Sequence, residues 1–133
     1  VVDPELDEVE RIIDVPHAGA HGLDFDPSTN RLFCACDAGV LVALDATSGK
    51  ALAEEKLSGV PDVVWFNARR QQLYVAVGDP GVVDVFATSP LCRLARIETE
   101  RGAHTTAYAA KAQQLHVFLP GTHRAAMYEI GDG

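Results

Sequence analysis

The sequence predicts an all-β chain built from three similar units, and two alignments carry that reading. Leu32-Phe33-Cys34-Ala35-Cys36, Leu73-Tyr74-Val75-Ala76-Val77 and Leu115-His116-Val117-Phe118-Leu119 match, with starts 41 and then 42 positions apart. The runs beginning at Gly39, Gly81 and His123 match as well, and there both spacings are 42. The phase slips once, at Asp79-Pro80. A unit of about 40–45 residues holding four short strands is the signature of a β-propeller blade. Helical repeats of that length need a 3.6-residue period, which is absent. A β-sandwich also has frequent turns, but nothing in it demands a constant 42-residue phase.

The elements follow in order. Residues 9–15 (Val9 to Val15) have the character of an outer strand with no sheet before it. Blade 1 spans residues 21–57, blade 2 residues 62–99, and blade 3 residues 104–130, the last lacking an outer strand. In each blade the innermost strand (Gly22–Asp26, Val63–Asn67, Thr105–Ala109) leads into a turn, of which Asp26-Pro27-Ser28-Thr29-Asn30 has the most explicit turn chemistry. The aligned Leu-led run is the second strand. After a further turn comes the third, which like the second is apolar on both faces and therefore suited to burial between neighbours. Ala51–Leu57 and Cys92–Thr99 form more charged outer strands, as sheet edges should be. Cys34 and Cys36 fall two apart on one strand face, where they are poorly placed to bridge each other. They and Cys92 read as small buried hydrophobes.

Eleven basic residues against nineteen acidic ones give a net charge of −8. That balance argues against nucleic acid and against an anionic membrane surface as partners. The longest aliphatic run, Val40–Leu44, is far short of the roughly 18 residues a membrane helix needs. No signal peptide is visible. The expected location is cytoplasmic if the N-terminus is native, and periplasmic or secreted if a leader was removed.

The run Tyr74-Val75-Ala76-Val77-Gly78-Asp79-Pro80-Gly81-Val82-Val83-Asp84-Val85-Phe86 resembles the YVTN repeat. Leu44-Asp45-Ala46-Thr47-Ser48-Gly49-Lys50 resembles that family's Asp-x-x-Thr-Gly-Lys turn, and Phe25-Asp26-Pro27 the exit of its first strand. Val77 stands where the motif has Asn. The resemblance covers roughly residues 20–130 and implies a YncE-like propeller. It informs fold far more than activity.

Three blades are half of a six- or seven-bladed ring. The orphan strand at the start and the missing strand at the end are complementary. A homodimer could therefore close the ring, each N-terminal strand completing the last blade of the other copy. Alternatively, the chain is half of a longer protein.

Counting back eleven positions from Leu32, Leu73 and Leu115 gives one equivalent position before or at the start of each innermost strand. It holds His21, Asp62 and His104. These residues should rim the central channel and bind a ligand there. Imidazole and carboxylate also suit a divalent metal ion in the channel or general acid–base work. The plainer reading is that they hydrogen-bond neighbouring loops. His17, Asp37, Asp79 and His123 fall in loops of the same face and read as solvated polar residues. Two functions follow. The first is a binding or scaffold protein using the loop-rich face for a small ligand or a protein partner. The second is a metal-dependent propeller enzyme, a lyase or lactone hydrolase. The lactonase version expects an Asn among the channel ligands, but Asn30 and Asn67 belong to the opposite face.

Overall fold

The computed structural model describes residues 2–6 and 8–131. Alternating and doubly apolar runs fold as thirteen antiparallel strands, with no helix among the described residues. A two-residue hairpin, β1 (Val2–Asp3) and β2 (Glu8–Val9), precedes the blades. Blade 1 is β3 (Ala20–Asp26), β4 (Arg31–Cys36), β5 (Val40–Asp45) and β6 (Ala51–Lys56), paired in that order. Blade 2 is β7 (Pro61–Asn67), β8 (Gln72–Val77), β9 (Val82–Thr88) and β10 (Leu91–Glu98). Blade 3 has three strands, β11 (Thr106–Ala109), β12 (Gln114–Leu119) and β13 (Arg124–Glu129).

The turns repeat with the strands. Asn30, Gln71 and Gln113, one per first hairpin, all adopt the left-handed conformation with φ of 52–55°. In the second hairpin, Gly39, Gly81 and His123 share a positive φ at spacings of 42. Glycine is free to adopt it, while His123 holds it at 54° with a side chain.

Blades stack face to face. Phe33, Ala35, Leu41 and Ala43 of blade 1 pack on Val64, Leu73, Val75 and Phe86 of blade 2. The other face of blade 2, with Tyr74, Val83 and Val85, packs on Leu115 and Val117 of blade 3. Fully burying one such side chain contributes about 1.5–3 kcal/mol, so these two seams dominate cohesion. Polar groups stitch the same seams. Asp24 Oδ2 accepts from Phe66 N at 2.6 Å, Arg31 donates to Thr88 O at 3.1 Å, and Trp65 Nε1 donates to Thr106 Oγ1 at 3.0 Å. Asp84, fully buried on β9, accepts from Ser58 N at 2.8 Å and Ser58 Oγ at 2.7 Å, with Arg93 Nη2 at 3.4 Å. That network fixes the loop between blades 1 and 2.

The orphan strand differs from expectation. Only Val9 is in a strand, paired with Val2 of the same chain, and residues 10–15 make no ladder. Ile13 and Val15 instead lie on Cys34, Cys36, Val42 and Leu44, the face of blade 1 turned away from blade 2. The backbone there lacks a neighbouring strand to bond with, which is the physical reason no strand forms.

Candidate functional site

Strands β3 and β7 run side by side at the centre, and Gly22 permits the closeness. A Cβ at Gly22 would sit 2.4 Å from the Asp62 carbonyl oxygen. This approach brings His21 and Asp62, the second residues of β3 and β7, within reach of each other. His104 lies two residues ahead of β11, on a loop held by Gly102 N–Gly78 O and Ala103 N–Glu100 O hydrogen bonds of 2.6 and 2.9 Å.

All three sequence-predicted residues therefore meet. His21 Nε2 is 3.4 Å from Asp62 Oδ1, and His104 Nδ1 is 3.8 Å from Asp62 Oδ2. The second distance is an ion-pair contact without hydrogen-bond length. A cavity of about 520 Å³ opens over the group, lined also by Pro61, Asp79 and Arg101.

Sequence reasoning missed two participants. Asp37, read as a solvated loop residue, hydrogen-bonds His21 Nδ1 at 2.9 Å. Arg101 clamps Asp79 through Nη2, at 2.9 and 2.8 Å from its two oxygens. A signal was present: Asp37 and Asp79 are 42 apart, the same corner of successive blades. His17, by contrast, lies apart from this group, with its half-buried ring 3.0 Å from Glu54 Oε1 of β6.

The hydrogen bond from Asp37 raises the His21 pKa above its ordinary value, with the Asp37 and Asp62 charges adding to it against some desolvation. An imidazole facing carboxylates at both nitrogens is best satisfied doubly protonated. That state has no lone pair for a metal ion. Among the described residues, no three His, Cys, Asp or Glu side chains are grouped to hold one. Pairing with Asp37 and Asp62 competes with ligation by His21 of the divalent ion expected in the channel. The cysteines offer no alternative centre. Burial pushes the Cys34 thiol up to about 12, and Cys36 is raised for the same first cause.

No protein-family model and no curated protein sequence matches the chain. Solved structures do. The dihydro-heme d1 dehydrogenase NirN in complex with DHE matches with a TM-score of 0.79 at 16% identity, over 99% of this chain and 30% of that one. Hydrazine synthase of Kuenenia stuttgartiensis gives 0.76 at 14%, over 92% and 36%. A chain of the mitotic checkpoint complex gives 0.75 at 11%, over 84% and 36%. These neighbours are β-propeller-like proteins, and the match to them does not extend to the YVTN repeat family. The chain spans about a third of the length of each. At such identity the likeness speaks of fold alone: three stacked blades of a β-propeller.

Proposed function

We propose that this chain is a ligand-binding part of a β-propeller scaffold, with the cavity over His21, Asp62 and His104 as the binding site. One observation carries the reading. Three positions equivalent in the repeat, distant in sequence, converge on one cavity whose size suits a small molecule. The chemistry there favours a small cationic ligand. Asp37, Asp62 and Asp79 line or flank the cavity, and Arg101, with His21 when it is protonated, balances only part of that charge. The electrically balanced Arg101–Asp79 clamp shapes the wall, while Asp62 and His104 present the acceptor and donor facing the cavity.

The test is an NMR titration of the histidine ring signals with putrescine, citrate and Mg²⁺ in turn. Putrescine is expected to shift the His21 and His104 signals saturably, and Asp62→Asn to abolish the shift. Citrate and Mg²⁺ are expected to leave both signals in place. A saturable response to Mg²⁺ alone would overturn this reading in favour of the metal-dependent enzyme, a lyase or lactone hydrolase. No response to putrescine would overturn it as well.

A further inference from the structure

Blade 3 is one strand short, and the extended residues 10–15 are one strand without a sheet. The repeat specifies how they fit. Third-strand and outer-strand residues pair as Leu41↔Glu55 in blade 1 and Val83↔Ile97 in blade 2, each member 42 from its counterpart. The next third-strand member is Ala125, and the outer-strand member 42 before Glu55 is Ile13. The neighbouring pairs Val40↔Lys56 and Val82↔Glu98 extend to Arg124 and Asp14. Both are exposed, and their charges are opposite. The hydrogen bonds Leu57 N–Gly39 O and Thr99 N–Gly81 O, both 2.8–2.9 Å, extend to Val15 N and His123 O.

The side-chain faces agree. Outer-strand Ala53 of blade 1 and Ile97 of blade 2 turn toward the following blade. Ile13 and Val15 likewise turn onto blade 1, so residues 10–15 stand where the outer strand of a preceding blade belongs. On blade 3, the face away from blade 2 carries Phe118 and Met127, 46% and 52% exposed. On blade 1, the face away from blade 2 carries Leu23 and Phe25, 61% and 40% exposed, beside Ile12 at 84%. One chain cannot join these two faces, because blade 2 separates them.

We propose that a second copy of this chain closes the ring. Residues 10–15 of each copy add to the free edge of β13 of the other, in the register Ile13 opposite Ala125 and Asp14 opposite Arg124. Six blades then surround the channel under a twofold axis, with two identical seams.

Light scattering of the 133-residue chain at micromolar concentration should give twice the 14.2 kDa chain mass. A 14.2 kDa particle, as expected if further blades of a longer chain fill these faces, overturns the proposal, and so does an open series of larger assemblies. Met127→Arg places a charge in both seams and should weaken association by about a hundredfold or more. Far-UV circular dichroism should be unchanged, because Met127 is exposed in the single chain. Leu94→Arg on β10, exposed and outside both seams, is the control and should leave the mass doubled. A dimer unaffected by Met127→Arg overturns the proposed faces.

The register is tested by Asp14→Cys with Arg124→Cys in a Cys92→Ser background. Directly opposed residues of antiparallel strands have Cα atoms about 4.5–5.5 Å apart, within disulfide reach. Oxidation should link two chains. A disulfide that closes within one chain, or none at all, overturns the strand exchange.

Discussion

Replacing Asp84 with Ala removes the acceptor that ties the blade 1–blade 2 loop to the sheet. Asp84 is fully buried and takes two hydrogen bonds from Ser58, with Arg93 3.4 Å away. The Ala variant leaves the Ser58 N–H and hydroxyl without their acceptor and Arg93 without its carboxylate. Breaking a buried, hydrogen-bonded charge costs about 3–5 kcal/mol. Unfolding entropy of about 2.1 cal/mol/K per residue gives about 0.28 kcal/mol/K for this chain. The melting temperature should therefore fall by about 11–18 °C, measured by circular dichroism at constant protein concentration. Ser58→Ala deletes the hydroxyl bond but keeps the backbone one, so it should cost about 1–2 kcal/mol. Because both act on one network, the double variant should cost clearly less than the sum. A fall below about 4 °C for Asp84→Ala, or strict additivity with Ser58→Ala, would refute the claim that this network holds the loop.

Further outcomes follow from the turns and from the site. Gly81→Ala should cost at least about 2 kcal/mol, because φ is +98° and the new Cβ would lie 2.6 Å from the Glu100 carbonyl carbon. Gly39→Ala has nothing within 4 Å and should cost only the conformational part, about 1 kcal/mol. His123→Gly should raise stability by about 0.5 kcal/mol, since it restores glycine where the other two blades have it. The His21 ring should titrate above 6.5, as followed by NMR. Its raised folded pKa makes the stabilisation complete below pH 6.5 and lost as pH rises through the folded value. Asp37→Asn should bring the midpoint down and flatten that window.

Much of the fold was readable because burial on both faces leaves a long imprint. Leu32–Cys36 and Leu73–Val77 are uninterrupted apolar runs, and the 42-residue phase tied them to their partners. Asn30 announced its left-handed turn, but Gln71 and Gln113 did not. There the conformation is imposed by the hairpin, against residue preference. The site was readable to the extent that it follows the repeat, which is why His21, Asp62 and His104 were found together. Asp37 reaches His21 across the β3–β4 pairing of blade 1, and Arg101 reaches Asp79 from the loop that leads into blade 3, so both meet the site through contacts between separate loops. Val9–Val15 carries the apolar alternation of a strand, yet alternation sets a face and not a partner. Residues 10–15 have no strand beside them, and no ladder forms.

The double-sided burial of the middle sheet also ranks the molecule by how readily its parts open. β8 and β9 have buried side chains on both faces, whereas most of β13 is open to solvent and residues 10–15 have no ladder. Amide protons should accordingly exchange from the outside inward. The N-terminal segment leads, the β13 edge follows, and the amides of β4, β5, β8 and β9 release theirs last, only when the whole stack comes apart. The slow-opening kernel then spans the middle strands of blades 1 and 2, which are buried on both faces, and blade 3 is its cover. His104 stands on the loop leading into that cover, so local opening of blade 3 would dismantle the site while the centre of the fold stays closed.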